Sequence, residues 1–560
     1  MSAVELVLGL MVPITVLALL ARRLNVPYPI LLVVGGLVLG FVPRLPSVTL
    51  APDLVFLIFL PPLITAAGWY TSVQDLKTNR RPIALLSVGL VLFSTLAVAA
   101  VAQAVIPNLG WGPALVLGAI VSPTDAVAAT AIMDRLGAPH RLIAILEAES
   151  LLNDATGLVA WRYAVAAVVA GTFSLWMAGA QFVLSLVAGV AIGLAVGWTL
   201  VQVWRRLDDP LVGITLSFLA PYAAFVAADQ ILHVSGVPVS GVLAVAVSGI
   251  YASRRSSEVL PAAARLQAVA VWDLVIFLLN GLAFILVGLQ LRHVLASVGQ
   301  VSVWDLVRAG AAVSLAVIAA RFIWVFPSTY LPRFFSRRIR ERDPYPGWRN
   351  VVVISWSGMR GVVSLAAALA VPLTVTGGAS FPNRDLIIFL TFCIILVTLV
   401  GQGLSLPQLL RLLGVTADGT DVREEARARF RALNAALNRL EELVEEDWIT
   451  EGALTQVRAY YEGRQKKLRT RFGKLDHSHD GPGADGQSGH THTEGRDHLE
   501  EHRSRQQNLL RLRQELLDTE RATVIQLRNE GLINDGVLRL VERELDLEEL
   551  RLGREFMPGS

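Results

Sequence analysis

An all-α, polytopic membrane protein of about thirteen transmembrane helices with a helical cytoplasmic tail is the fold class the sequence predicts. Three observations carry it. The 560-residue chain is 54% hydrophobic against 17% charged, with a mean hydropathy of +0.54. Apolar windows of about twenty residues, the length that spans a bilayer as a helix, recur between clusters of Pro, Gly and charge. Charge is also divided unevenly: up to Val415 there are 26 Lys and Arg against 17 Asp and Glu, and beyond it 23 against 29. An apolar domain over 1–415 thus precedes a charged tail, and the net charge of +3 gives no case for nucleic-acid binding.

The windows fall near 4–21, 28–43, 52–70, 82–106, 112–134, 142–169, 176–203, 211–232, 237–252, 269–291, 304–330, 349–375 and 385–413. The first lacks a basic leader and a small-residue cleavage site, so it reads as a retained span and not a signal peptide. The connecting charges support the count. Alternate loops carry 18 basic residues, among them Arg22, Arg23, Lys77, Arg80 and Arg81, and six between 331 and 349, whereas the opposite loops carry Arg44, Arg292 and Arg384. The positive-inside rule then places the N-terminus outside and the tail in the cytoplasm. Cys393 is the single cysteine; it excludes an intramolecular disulfide and reads as a packing residue.

Polar residues inside the spans are the candidates for chemistry, because a charge at the bilayer centre costs roughly 2.5–3.5 kcal/mol on insertion scales and so faces a bundle interior or an ion path. Span six carries Glu149-Ser150-Leu151-Leu152-Asn153-Asp154. Glu149 and Asn153, like Ser150 and Asp154, are four residues apart and stack on a helix face, which offers two acids and two neutral oxygen ligands to a cation. Glu149 is read as the internally paired acid, because arginines Arg321 and Arg360 lie deep in spans eleven and twelve. Asp154 is read as the functional acid. Span five contains Ser122-Pro123-Thr124-Asp125, where proline removes a backbone donor and breaks the helix. Span twelve contains Ser357-Gly358-Met359-Arg360-Gly361, whose glycines weaken a helix. Paired interruptions, one in each half of the domain, point to an inverted-repeat transporter with its site at mid-membrane. Asp229 and Asp273 read as interfacial, and Pro61-Pro62 as a kink. There is no phosphate loop, hydrolase metal spacing or nucleophile elbow to support an enzyme.

These motifs, with Phe59-Leu60-Pro61-Pro62, the continuation Ala126-Val127-Ala128 after Asp125, and Gly358-Met359-Arg360-Gly361, resemble the sodium/proton exchangers of the first cation/proton antiporter family, the bacterial NhaP type and its animal relatives. The resemblance covers about residues 1–415. It implies the antiporter fold: a homodimer of thirteen-helix chains in which spans four to six and eleven to thirteen form a mobile core, spans one to three and seven to ten a dimer domain, and broken spans five and twelve cross. It implies that Asp154 binds cation and proton in turn, that Asp125, Thr124, Ser150 and Asn153 shape or complete the site with support from Ser122, Pro123 and Arg321, and that Glu149 pairs with Arg360. Asn at 153, where other members carry a second acid, implies electroneutral exchange. One departure is plain: several relatives have a carboxylate shortly after the Pro-Pro pair, and this chain has Thr65-Ala66-Ala67-Gly68.

The expected activity is therefore exchange of Na⁺ or Li⁺ for H⁺ across the bacterial plasma membrane, with lipid, a second copy of the chain and the transported ions as partners and no cofactor. K⁺/H⁺ exchange by the same machinery stands beside it, and a cation channel or non-transporting sensor further off. In the tail, 416–475 and 503–560 show Arg, Glu, Leu and Ala at helical spacing, with Leu509, Leu510, Leu512, Leu516 and Leu517 as a partial apolar stripe. The His- and Gly-rich stretch 476–502 reads as a flexible linker; His477, His479, His490 and His492 are weak candidate metal ligands with nothing to fix their geometry.

Overall fold

A computed structural model describes residues 3–24, 26–42, 56–171, 175–207, 209–235, 239–290, 292, 294–295, 302–416, 419–446, 448–472 and 498–556. The histidines 477, 479, 490 and 492 lie outside the described residues. Among the described residues the chain is helical throughout, save for an isolated antiparallel bridge between Thr374 and Ser380. It divides into two units, Met1–Leu260 with Gln267–Ala417, and Pro261–Leu266 with Asp418–Ser560.

Helices lie over the predicted spans of the first unit. In chain order they are α1 (Ala3–Leu24), α2 (Tyr28–Gly40), α3 (Leu60–Tyr70), α4 (Val91–Val105), α5 (Trp111–Val121), α6 (Val127–Leu136), α7 (His140–Ala170), α8 (Leu175–Trp204), α9 (Pro210–Ser235), α10 (Gly241–Val259), α11 (Ala262–Leu289), α12 (Val303–Phe335), α13 (Trp348–Trp356), α14 (Val362–Leu369), α15 (Arg384–Leu396) and α16 (Gly403–Leu413). Among the described residues six helical stretches are long and apolar enough to cross a membrane, and Tyr28–Gly40, Phe56–Tyr70 and Trp111–Val121 are shorter apolar helices.

Local chemistry accounts for the boundaries that matter. Pro61 and Pro62 fall in the first turn of α3, directly after the turn at Phe59 that interrupts the helical stretch Phe56–Tyr70, a place where a missing N–H costs little. α5 stops at Val121, two residues before Pro123, and α6 resumes at Val127. α6 ends on Gly137 at φ 64°, whose N–H and that of Ala138 reach back to Asp134 and Met133 carbonyls, a left-handed cap that glycine adopts without strain. Spans four and thirteen each contain a widened π turn, Leu85–Leu90 and Val397–Gln402.

The interior of this unit is packed by small and branched side chains. Where helices approach most closely there is no room for a Cβ: on Gly118 of α5 it would lie 2.3 Å from the Thr95 carbonyl oxygen of α4, and on Gly288 of α11 2.3 Å from that of Val33 in α2. Such close approaches replace the hydrophobic drive that lipid removes. Buried Ile30, Met133, Phe284, Met359, Phe392 and Leu406 belong to one continuous core that reaches the break in span twelve.

The second unit is a small helical body. α17 (Thr420–Glu442), α18 (Glu451–Phe472), α19 (His498–Asn529) and α20 (Asp535–Phe556) pack through the predicted leucine stripe: Leu512, Leu516 and Leu517 are fully buried, and Leu509 and Leu510 pack against the same cores. α19 begins at His498, inside the stretch the composition marks as linker, because Glu500, Glu501 and the following Arg-rich segment are good helix formers.

Candidate functional site

The site is built where two broken helices meet. Residues 122–126 between α5 and α6, and 357–361 between α13 and α14, interrupt the helices and belong to neither. They touch directly: the backbone N–H of Asp125 donates to the Met359 carbonyl at 2.7 Å. Gly361 is required at this contact, since a Cβ there would stand 1.9 Å from Oδ2 of Asp125. The backbone N–H of Arg360 donates to Oγ1 of Thr398 at 3.2 Å. Thr398 sits in the π turn of span thirteen, so that widened turn supplies a partner to a backbone group freed by the break.

α7 passes alongside and presents the span-six motif. It comes close because residue 157 is glycine: a Cβ there would lie 2.2 Å from Cγ of Pro123. Thr124 joins the elements. Its hydroxyl donates to Oε1 of Glu149 at 3.1 Å and accepts from Nδ2 of Asn153 at 2.8 Å. Ser150 Oγ accepts the Ala126 N–H at 3.2 Å, and Oδ1 of Asp125 accepts the Val127 N–H at 2.9 Å, an arrangement that satisfies the orphan donors at the start of α6. Ser122 is buried and donates to the Ala119 carbonyl, its own preceding turn. The predicted group Ser122, Pro123, Thr124, Asp125, Glu149, Ser150 and Asn153 is therefore assembled in one place.

The three acids differ sharply in their surroundings. Glu149 is 0% exposed and Arg321 1%. The two form a bidentate pair, with Nη2 to Oε2 at 2.9 Å and Nη1 on Oε1. Nε of Arg321 donates to the Ile354 carbonyl at 2.9 Å. This corrects the expected Glu149–Arg360 pair. Both Glu149 oxygens are taken by Arg321, and Arg360, also 1% exposed, turns to the broken-helix carbonyls of Val121 (Nε, 2.9 Å) and Gly358. The physical reason is that α5 ends at Val121 and the chain is non-helical at Gly358, so both carbonyl oxygens lack a helical donor and are free to accept from the guanidinium. The sequence showed both arginines at membrane depth and held no signal to choose between them.

Asp125 and Asp154 are both half-buried. Asp125 is held by the Val127 N–H. Asp154 makes no hydrogen bond or ion pair among the described residues. Oδ1 of the buried Asn153, one residue away, also accepts no hydrogen bond there. A half-buried carboxylate with no hydrogen bond or ion pair among the described residues, next in sequence to an unused amide oxygen, offers hard oxygen donors of the kind that suit a monovalent cation or a proton. Arg162 of α7 donates to the Val239 carbonyl at 3.4 Å.

An all-helical membrane bundle whose two broken helices meet at Asp125 defines the class of secondary transporters with discontinuous helices. The description "Sodium/hydrogen exchanger, transmembrane" matches residues 10–412, and the chain belongs to that family; it is a transporter and not an enzyme. It is 36% identical over 559 residues to an uncharacterised Na⁺/H⁺ exchanger of Mycobacterium tuberculosis, covering 98% of this chain and 97% of that protein. It is 31% identical to a sodium, potassium, lithium and rubidium/H⁺ antiporter of Bacillus subtilis, over 79% of this chain and 66% of the other. The fold is similar to that of the sodium proton antiporter MjNhaP1 from Methanocaldococcus jannaschii, with a TM-score of 0.59 and 20% identity over 74% of this chain and 99% of that one.

Proposed function

We propose that the protein exchanges Na⁺ or Li⁺ for H⁺ across the bacterial plasma membrane, one for one, with Asp154 as the group that carries each ion in turn. The observation that carries this reading is the contrast between the acids. Glu149 is neutralised by Arg321, whereas Asp154 has no hydrogen-bond or ion-pair partner among the described residues. An uncompensated charge in a low-dielectric cleft is costly by several kcal/mol, so Asp154 holds either a proton or a cation. If only the neutralised carboxylate crosses the apolar barrier, each ion is returned only in exchange for the other.

Asn153 supports electroneutral stoichiometry. It brings a neutral oxygen where a second acid would bring another charge, and its Nδ2 is committed to Thr124. Asp125, Thr124 and Ser150 shape the cleft. In this reading the chain has thirteen crossings, the broken spans five and twelve cross at mid-membrane, and a core of spans four to six and eleven to thirteen moves against spans one to three and seven to ten of a homodimer, with the N-terminus outside and the tail in the cytoplasm.

K⁺/H⁺ exchange is favoured by one observation. Where relatives carry an acid after the Pro-Pro pair, this chain has Thr65, buried with its hydroxyl making no hydrogen bond among the described residues, a weaker ligand field for a small ion. Proteoliposomes containing a pH dye, challenged with Na⁺, Li⁺ and K⁺ with and without a clamped potential, decide ion choice and stoichiometry together. A rate that follows the clamped potential overturns the one-for-one reading, and dye signals no greater than in empty liposomes for all three cations overturn antiport.

A further inference from the structure

A cavity of about 570 Å³ opens beside the ends of α1, α6 and α16, and none of the candidate ion-binding side chains is among its described lining. Its volume is that of a small-molecule site. Its polar character comes from Arg22, Arg135 and Arg411, one in the last turn of each of those three helices. No acidic residue is among its described lining. Arg22 and Arg411 make no ion pair or hydrogen bond among the described residues, and both are exposed. The remaining wall is apolar, closed on one side by the ring pair Tyr28 and Phe277, whose centroids are 5.9 Å apart.

Three guanidiniums around an apolar recess repel the transported cation. They suit an anion that brings its own apolar tail, since guanidinium binds phosphate oxygens through charge-assisted, forked hydrogen bonds. The outer surface leading to the recess is built for acyl chains: Val12, Val16, Leu19 and Leu20 of α1 and Leu412 of α16 are exposed, Leu412 at 84%. By the distribution of basic loops these helix ends face the cytoplasm, the side on which anionic headgroups attract basic clusters.

We propose that this recess binds the phosphodiester headgroup of an anionic phospholipid, with Arg22 and Arg411 as its principal ligands, Arg135 completing the ring and the acyl chains lying along α1. The assignment concerns binding and does not depend on which cation is exchanged.

The test uses the full-length protein in detergent, loaded with phosphatidylglycerol or phosphatidylcholine and examined by native mass spectrometry and thermal unfolding. Phosphatidylglycerol is expected to be retained and to raise the unfolding temperature, and phosphatidylcholine is not. R22Q/R411Q is expected to lower retained phosphatidylglycerol at least about tenfold, and the charge-conserving R22K/R411K to keep most of it, which separates loss of the site from misfolding. Equal retention in parent and R22Q/R411Q overturns the proposal, as does equal retention of the two lipids. Inorganic phosphate is the second arm: if it stabilises the parent as much as the lipid does, the occupant is a free anion and the lipid assignment fails.

Discussion

Arg321 of α12 closes on Glu149 of α7 with both terminal guanidinium nitrogens, and neither side chain is more than 1% exposed. In the proposed mechanism the pair leaves Glu149 a structural role, outside the exchange of ions. It also ties the span-six helix to α12 and, through Nε, to the Ile354 carbonyl of α13. The partnership has direct consequences for mutants. Removing one partner of a buried pair leaves an unpaired charge and costs about 3–5 kcal/mol. Glu149→Gln and Arg321→Gln are each expected to unfold at markedly lower temperature than the parent, and the double variant to lose less than the sum. A thermal double-mutant cycle checks this. The same cycle on Glu149 and Arg360 is expected to give the smaller coupling, and the reverse order would contradict the pairing.

Asp154 has no hydrogen-bond or ion-pair partner among the described residues, so its loss leaves none of their charges unpaired. Asp154→Asn is expected to keep the fold and unfolding temperature of the parent while abolishing cation-dependent proton movement in proteoliposomes. Exchange at the parental rate in that variant would remove Asp154 from the mechanism.

Gly361 stands against the Asp125 carboxylate with no space for a methyl group. Gly361→Ala must push the two broken segments apart or turn Asp125 away, and overpacking of this kind costs about 1–3 kcal/mol. Transport is expected to fall strongly with a moderate loss of stability. Gly179→Ala, at a position with nothing within 4 Å of a new Cβ, is the control that should change neither. The initial rate of dye response and a melting curve report both effects.

Asn153→Asp would place another carboxylate beside Asp154 and remove the donor to Thr124. It is expected to make exchange respond to a clamped membrane potential where the parent does not. Potential-independent exchange in both proteins would separate residue 153 from stoichiometry.

In the tail, Glu520 is almost fully buried, and burial holds its carboxyl above the usual range, opposed by the Arg464 guanidinium 3.1 Å away. The folded tail thus binds this proton more tightly than the unfolded chain does, so tail stability falls as pH rises from the ordinary glutamate value to the raised one, and is level above it. Hydrogen exchange of α19 amides in the full-length protein, corrected for intrinsic rates, should show protection declining over that window. Glu520→Gln should flatten the decline.

The helical, apolar character of the first unit was legible because bilayer thickness demands long apolar helices, and the interruptions at 122–126 and 357–361 were legible because Pro123 and the Gly358–Gly361 stretch leave backbone groups that a helix cannot use. Asp154 stood out as the acid without a local partner. The leucines of α19 were read as a core stripe from spacing alone, and they are one. The linker boundary near His498 was misplaced because composition changes gradually where a helix begins abruptly. Distances between spans were not legible. Arg321 and Arg360 have the same depth and the same chemistry in the sequence, and only packing shows that one meets Glu149 while the other meets the carbonyls that the broken helices leave open. The same holds for Thr398, whose hydroxyl reaches Arg360 only because a π turn shifts its register, and for the arginine-lined recess, whose three members lie in helix ends far apart in the chain. Composition and periodicity determine what must be buried and where a helix must stop. Which buried charge finds which partner is a matter of a few ångströms between helices remote in sequence, and the tertiary structure decided it.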